Sequence, residues 1–245
     1  MDTSEIIKSF ESQDNLNLKI WEKEGKSYMM RPEVRDKLLE TANLFMDFLG
    51  VDVIVTDIIM IGSLVNYNWS KFSDIDLHIV VNYNQFPNNS QELYVEFFDL
   101  KKIIFNDRHN IKLFGYDVEC FVQSESETTF SSGIYSVLYD MWVNEPKKSE
   151  NKSIDIDLLK EKANQWMRII DGVIDNISDE DPDEIKRLVK KYKEKLKKFR
   201  NCGLEKNGEM SLENLVFKLL RRNGYIEKLY ELPTDLIDKK LSIKQ

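Results

Sequence analysis

The sequence predicts an α+β chain, a mixed β-sheet with flanking helices followed by a C-terminal helical bundle. Three observations carry that expectation. Apolar runs rich in β-branched residues at 53–61, 74–81 and 111–122 read as strands. The segments 32–49 and 91–105 repeat apolar residues at helical spacing. From Asp155 onward the period is helical throughout, beyond a charged, turn-rich boundary at Asn144-Glu145-Pro146-Lys147-Lys148. The expected domains are therefore 1–148, bearing the sheet, and 149–245, helical.

In chain order, Leu16, Leu18 and Ile20 alternate and predict a short strand. Pro32 suits the first turn of a helix. Val34, Leu38, Leu39, Ala42, Phe45, Met46 and Leu49 follow at helical spacing, and Gly50 is its stop. The run 53–61 predicts a central strand that delivers Gly62-Ser63 at its end, with a short helix over 64–70 and a second strand over 74–81. After a polar loop at 82–89, the helix 91–105 places Leu93, Phe97, Leu100, Ile103 and Ile104 on one side. In the strand within 111–122, Asp117, Glu119 and Phe121 share one face and Val118, Cys120 and Val122 the other. Residues 124–132 read as a Ser/Thr/Glu-rich loop, and 133–142 fit either a strand or a helix.

In the C-terminal part, Leu158, Leu159, Trp166, Ile169, Ile170, Val173 and Ile174 form a first apolar stripe. Asp181-Pro182-Asp183-Glu184 has the form of an N-cap, with Pro at the first helical position and Glu184 in the capping-box position. The following helix buries Ile185, Leu188, Val189, Tyr192, Leu196 and Phe199. Ser211 caps a helix bearing Leu212, Leu215, Val216, Leu219 and Leu220. Gly224 precedes a last short helix, and residues from Pro233 read as a tail. No internal repeat is present.

Composition narrows the function classes. Charged residues make up 32% of the 245 and hydrophobic ones 42%, a globular balance. No apolar run approaches the roughly 20 residues of a membrane span, so no membrane partner is expected. The N-terminus lacks the basic-then-apolar form of a signal peptide. Cys120 and Cys202 lie far apart, which favours a reduced, cytoplasmic protein. The net charge of −8 is uneven: residues 1–150 carry −11 and residues 151–245 carry +3. An acidic half beside a basic helical half is compatible with a polyanionic second substrate.

The stretch 60–81 organises the rest. An apolar run ends in Gly62-Ser63, a polar and aromatic segment follows, and a second run alternates Asp74, Asp76 and His78 against Ile75, Leu77 and Ile79. On a strand, Asp74 and Asp76 project from one face. Carboxylates held side by side repel, which usually means that a cation sits between them.

Ile61-Gly62-Ser63, ten intervening residues and Asp74-Ile75-Asp76-Leu77 together resemble the signature of the DNA polymerase beta-like nucleotidyltransferase superfamily, in particular its compact stand-alone members. The likeness covers roughly residues 50–125. It implies a nucleotidyltransferase-type sheet in a catalytic domain and transfer of a nucleoside monophosphate from a nucleoside triphosphate to a hydroxyl. It also implies two Mg2+ ions, with Mn2+ as a substitute, and a third carboxylate from a later strand. Glu119 is favoured for that role because hydrophobic residues flank it directly, and Asp117 is the alternative. On this resemblance Asp74, Asp76 and Glu119 are the catalytic and metal-binding residues, and Glu119 also assists deprotonation of the acceptor. Gly62, Ser63, Lys71 and Ser73 lie where the nucleotide phosphates would be held.

Other residues carry weaker expectations. His78 shares the aspartate face, where a lone histidine is more often packed than ligating. With only His78, His109 and two distant cysteines, a zinc site is not expected. Tyr67 and Trp69 can stack on a base, but aromatics there are more often core; Asn66 and Asn68 can contact sugar or phosphate. Between Pro182 and Arg200 stand Lys186, Arg187, Lys190, Lys191, Lys193, Lys195, Lys197, Lys198 and Arg200 against three acids. Such a run is usually a solvated face. The alternative is contact with a nucleic-acid backbone or the triphosphate, a surface that Lys218, Arg221 and Arg222 would extend. That asymmetry tilts the expected acceptor toward an RNA or tRNA end over a small molecule or a protein hydroxyl. A nucleotide-binding or interaction module without catalysis is the reading from another class.

Overall fold

The computed structural model describes residues 3–87, 90–129, 131–148, 154–175 and 182–243. They form a mixed α+β chain with a six-stranded sheet and a helical C-terminal region, in two compact units: Glu11–Asn151, and Met1–Phe10 together with Lys152–Gln245. The first ten residues thus belong with the helical unit, unlike in the 1–148 division. The reason is apolar: α1 (Thr3–Lys8) buries Ile6 and Ile7, and Phe10 after it is buried in the same core. Among the described residues no helix is long and apolar enough to cross a membrane.

The sheet unit opens with a hairpin, β1 (Trp21–Glu24) and β2 (Ser27–Met30), turned by Gly25 at φ 62°. The strand expected at 16–20 is absent, and Leu16 and Ile20 are buried from a turn instead. Trp21 anchors the hairpin. Its indole donates to the Leu64 carbonyl at 2.7 Å and stacks on Trp142 with centroids 4.7 Å apart. Next comes α2 (Pro32–Leu49), with Pro at its start and Gly50 at φ 70° ending it, as its sequence dictates.

Strands β3 (Val55–Ile61) and β4 (Ile75–Val81) pair antiparallel. Helix α3 (Gln91–Arg108) then leads to a hairpin of β5 (Lys112–Leu113) and β6 (Tyr116–Ser124) through Phe114 at φ 52° and Gly115 at φ 91°. Both turn residues lie in the left-handed region, as a two-residue I′ hairpin requires. The ambiguous segment 133–142 is β: β7 (Ile134–Ser136) and β8 (Met141–Asn144) pair antiparallel. Arg35 of α2 holds the turn between them, donating to the carbonyls of Val137 and Leu138 at 2.8 Å each. The sheet order is β5-β6-β4-β3-β7-β8, with β4 and β6 its parallel pair.

Two further expectations fail within this unit. Helix α3 turns Phe98 and Phe105 inward, while Leu93, Leu100 and Ile103 are exposed. The helix carries two apolar stripes, and the one with the larger aromatic rings took the core, Phe105 meeting Phe45 at 4.9 Å. The helix over 64–70 shrinks to one 3-10 turn, Ser63–Val65, because Asn66 leaves it in extended conformation and spends its side chain on the Gly62 carbonyl.

In the helical unit, α4 (Ile156–Asp175) and α5 (Pro182–Asn207) bury the stripes their periodicity predicts, Leu159, Trp166, Ile170 and Val173 on one and Ile185, Val189 and Leu196 on the other. The cap assigned to Asp181 lies outside the described residues. Ser211 caps α6 (Leu212–Arg222), accepting from the Asn214 amide at 3.3 Å. After Gly224 at φ 75°, α7 (Tyr225–Leu241) runs straight through Pro233, where a tail was expected. A mid-helix proline costs about 3 kcal/mol. Leu229, Leu232 and Leu236, all packed on the helical core, hold the segment helical regardless.

Candidate metal centre

Three strands converge on one acidic cluster. In the β3–β4 pair, Ile61 lies opposite Asp76. In the parallel β4–β6 pair, Asp76 lies opposite Glu119. Asp74, two residues before Asp76, stands on the same face where the chain enters β4. The carboxylates of Asp74, Asp76 and Glu119 each offer an oxygen within 4.8 Å of the others, and all three residues are half-buried. Among the described residues no other group of His, Cys, Asp or Glu is so placed. Asp117 takes no part: it forms an ion pair with Lys112 across the β5–β6 hairpin.

Gly62 makes this packing possible. It sits at φ 88°, and a Cβ there would lie 2.1 Å from Oδ2 of Asp76. The Asp76 carboxylate therefore occupies the space that any other residue would fill. A hard, all-oxygen donor set held in such a cradle fits magnesium or manganese. The same three charges would repel one another strongly without a cation.

The chain before the cluster is tied down by hydroxyls and one amide. The Ser63 and Ser73 hydroxyls share a hydrogen bond of 2.6 Å, and Ser73 Oγ accepts from the Ser70 amide at 3.0 Å. Asn66 is buried. It donates to the Gly62 carbonyl at 2.7 Å and to Ser131 Oγ at 3.1 Å, and accepts from Ser132 Oγ at 2.7 Å. Ser131 Oγ in turn accepts from the Gly62 amide at 3.3 Å. Gly133 closes the clasp so tightly that a Cβ would meet the Val65 carbonyl at 2.2 Å. Asn66 is thus a brace for Gly62-Ser63, and neither it nor Ser131 was legible as such. The available signal was an Asn four residues beyond the Gly of a Gly-Ser turn.

Glu119 has its own brace, also missed. Asn106 of α3 donates to the Cys120 carbonyl at 3.1 Å and accepts from its amide at 3.0 Å, completing the edge of β6 where the short β5 has ended. Cys120 faces the core, and burial, with Glu119 alongside, pushes its thiol up to about 12, leaving it inert.

The histidine and the aromatic candidates fall outside the cluster. His78 is packed: its ring stacks on Phe121 at 4.7 Å and its Nδ1 lies 2.7 Å from Gln123 Oε1. Gln123 Nε2 donates to Thr129 Oγ1 at 3.0 Å, and with Oε1 facing the ring His78 Nδ1–H is the donor. Burial lowers the His78 pKa to about 4, so the imidazole is neutral near pH 7. Tyr67 and Trp69 pack against the sheet core, with the Trp69 indole donating to the Asn15 carbonyl at 2.9 Å. Lys71 is exposed, its ammonium 5.0 Å from the centre of the Phe72 ring. With a single 3-10 turn after Ser63, the turn has no helix N-terminus behind it.

Compared with known proteins, the chain matches no family model, no curated protein and no solved structure.

Proposed function

We propose that the chain is a magnesium-dependent nucleotidyltransferase that moves a nucleoside monophosphate from a nucleoside triphosphate to a hydroxyl acceptor. One observation carries this reading: Asp76 and Glu119 face each other on adjacent parallel strands, Asp74 joins them within 4.8 Å, and Gly62 leaves the room the cluster needs. Asp74, Asp76 and Glu119 would hold the divalent ions. When bound, these supply charge neutralisation at the phosphates and a lowered pKa for the attacking hydroxyl. Catalysis of this kind is largely alignment, and the chain's contribution is placement.

In the proposed reaction the acceptor oxygen bonds to the α-phosphorus and the bond from that phosphorus to the pyrophosphate oxygen breaks. The acceptor proton passes to the Glu119 carboxylate and then to solvent. The Gly62-Ser63 turn, braced by Asn66 and Ser73, supplies backbone and hydroxyl contacts to the triphosphate oxygens. A triphosphate substrate and two free cysteines, one of them buried, fit the cytoplasm.

The test is incubation with each of the four nucleoside triphosphates labelled at the α-phosphate, together with magnesium and total RNA or a small hydroxylated acceptor. Label is expected to move to an acceptor, or to the protein itself, and to stay in solution with Asp76→Ala. Absence of triphosphate binding, or labelling indifferent to Asp76→Ala, refutes the proposal and leaves a non-catalytic module.

A further inference from the structure

Helix α5 carries nine basic residues from Lys186 to Arg200, and the structure sorts them into two groups. Three are engaged in packing. Lys193 lies over the Tyr230 ring at 4.2 Å, Lys195 over Trp166 at 5.6 Å, and Arg200 over Phe217 at 4.7 Å while donating to Asn214 Oδ1. The other six, Lys186, Arg187, Lys190, Lys191, Lys197 and Lys198, are exposed, and none forms an ion pair or hydrogen bond with a described residue.

At about 100° per residue these six occupy an arc of about 140° on the face opposite Ile185, Val189 and Leu196. The arc runs about 18 Å along the helix axis. Glu194 is the one described carboxylate on it. Like charges three and four residues apart destabilise a helix, and here they repeat along its length in a chain that is acidic overall, with a net charge of −8. A face shaped only by solubility would interleave the two signs.

We infer that this arc is a docking surface for the phosphodiester backbone of a nucleic-acid strand. A row of cations at this density matches a polyanion of regularly spaced charges, and it binds without reading sequence. An anionic membrane fits less well, because the apolar face a membrane helix would insert is already buried in the helical core. That the bound strand is the nucleotidyl acceptor rests on the function proposed above; the binding itself does not.

The test is fluorescence anisotropy of a labelled, mixed-sequence 20-nucleotide RNA and its DNA counterpart across a salt series, using the full chain. Six neutralised phosphates give a slope of log Kobs against log salt of about −4 on a single strand. Lys186→Gln/Lys190→Gln/Lys197→Gln is expected to reduce the slope to about −2. Lys160→Gln/Lys239→Gln/Lys240→Gln, which makes the same change in net charge elsewhere in the helical unit, is expected to leave it near −4. Binding of either strand type with this contrast supports the inference. No oligonucleotide binding, equal effects of the two triples, or binding only to phosphatidylserine vesicles overturns it. Asp76→Ala separates the two claims. If it binds RNA like the wild type while wild-type protein transfers no label, the surface stands and the enzymatic reading fails. If wild-type protein transfers label but the arc triple changes no slope, the reverse holds.

Discussion

Gly62→Ala is the sharpest perturbation of the proposed centre, because it adds one carbon at the point where the cluster has no room. The added Cβ would lie 2.1 Å from Asp76 Oδ2, where ordinary contact begins near 3.4 Å, so the Asp76 carboxylate or the turn must shift by about 1 Å. The backbone adds to this, since an alanine held at φ 88° and ψ −163°, a region open essentially to glycine alone, is disfavoured by about 1–3 kcal/mol. For a chain of this size that stability loss lowers Tm by roughly 2–12 °C. The effect on function is larger, because a misplacement of 1 Å in a catalytic constellation can cost about a hundredfold in rate. Three assays together are decisive: circular dichroism to show the retained fold, Mn2+ titration followed by paramagnetic resonance, and label transfer. The expected result is a folded protein with Mn2+ affinity at least tenfold weaker and transfer reduced by about a hundredfold. Wild-type Mn2+ affinity in a folded Gly62→Ala protein would refute the reasoning, since Asp76 would then not need the space it occupies.

Three further outcomes follow from the same geometry. Glu119→Gln should abolish Mn2+ binding while Asp117→Asn leaves it intact, as titration of each variant would show; equal effects would mean that the third carboxylate is misassigned. Asn66→Ala leaves the half-buried Gly62 carbonyl and the Ser132 hydroxyl without their Asn66 partner, so a loss of about 1–3 kcal/mol is expected by urea denaturation, with kcat falling more than KM rises. His78 sets an acid limit. Its folded pKa of about 4 lies below the unfolded 6.5, so the neutral form's contribution is complete above pH 6.5 and is lost as pH falls toward 4. Between pH 7.5 and 4.5 the wild type should lose about 2–3 kcal/mol from this group, a loss absent from His78→Gln; identical pH profiles for the two proteins would exclude it.

What could be read in advance was what depends on near neighbours in the chain. The alternation around Asp74 and Asp76 fixes their common face, and Gly50 after an apolar helical stripe fixes a helix end. Directly flanking hydrophobics singled out Glu119 over Asp117, and the register of β4 on β6 places it beside Asp76. What stayed hidden depends on partners far away. The inward face of α3 was decided by Phe45 and by which stripe carried larger rings. Asn66 also reaches Ser131, 65 positions away, and Asn106 reaches Cys120, 14 positions away; beyond the four-residue spacing of Asn66 from Gly62, nothing local marks either amide as a brace. Pro233 reads as a breaker by propensity, and only its flanking leucines on the helical core reverse that.

Strand β6 itself supplies the comparison that weighs for a cation site over a solvated strand end. Asp117 and Glu119 share a face two residues apart. Asp117 is neutralised in the ordinary way, by Lys112 on the adjacent strand. Glu119 is turned toward two further carboxylates within 4.8 Å, a distance at which two ionised groups repel by roughly 3 kcal/mol at an effective dielectric constant near 20. A fold selected for stability alone would separate these groups. Instead the chain holds the cluster together with a glycine at positive φ, a buried asparagine on the Gly62 carbonyl and a second asparagine on the backbone of Cys120. Rigid support on both sides of a repulsive cluster is what binding a small divalent ion requires, because the ion returns more than the repulsion only when its ligands are already in place.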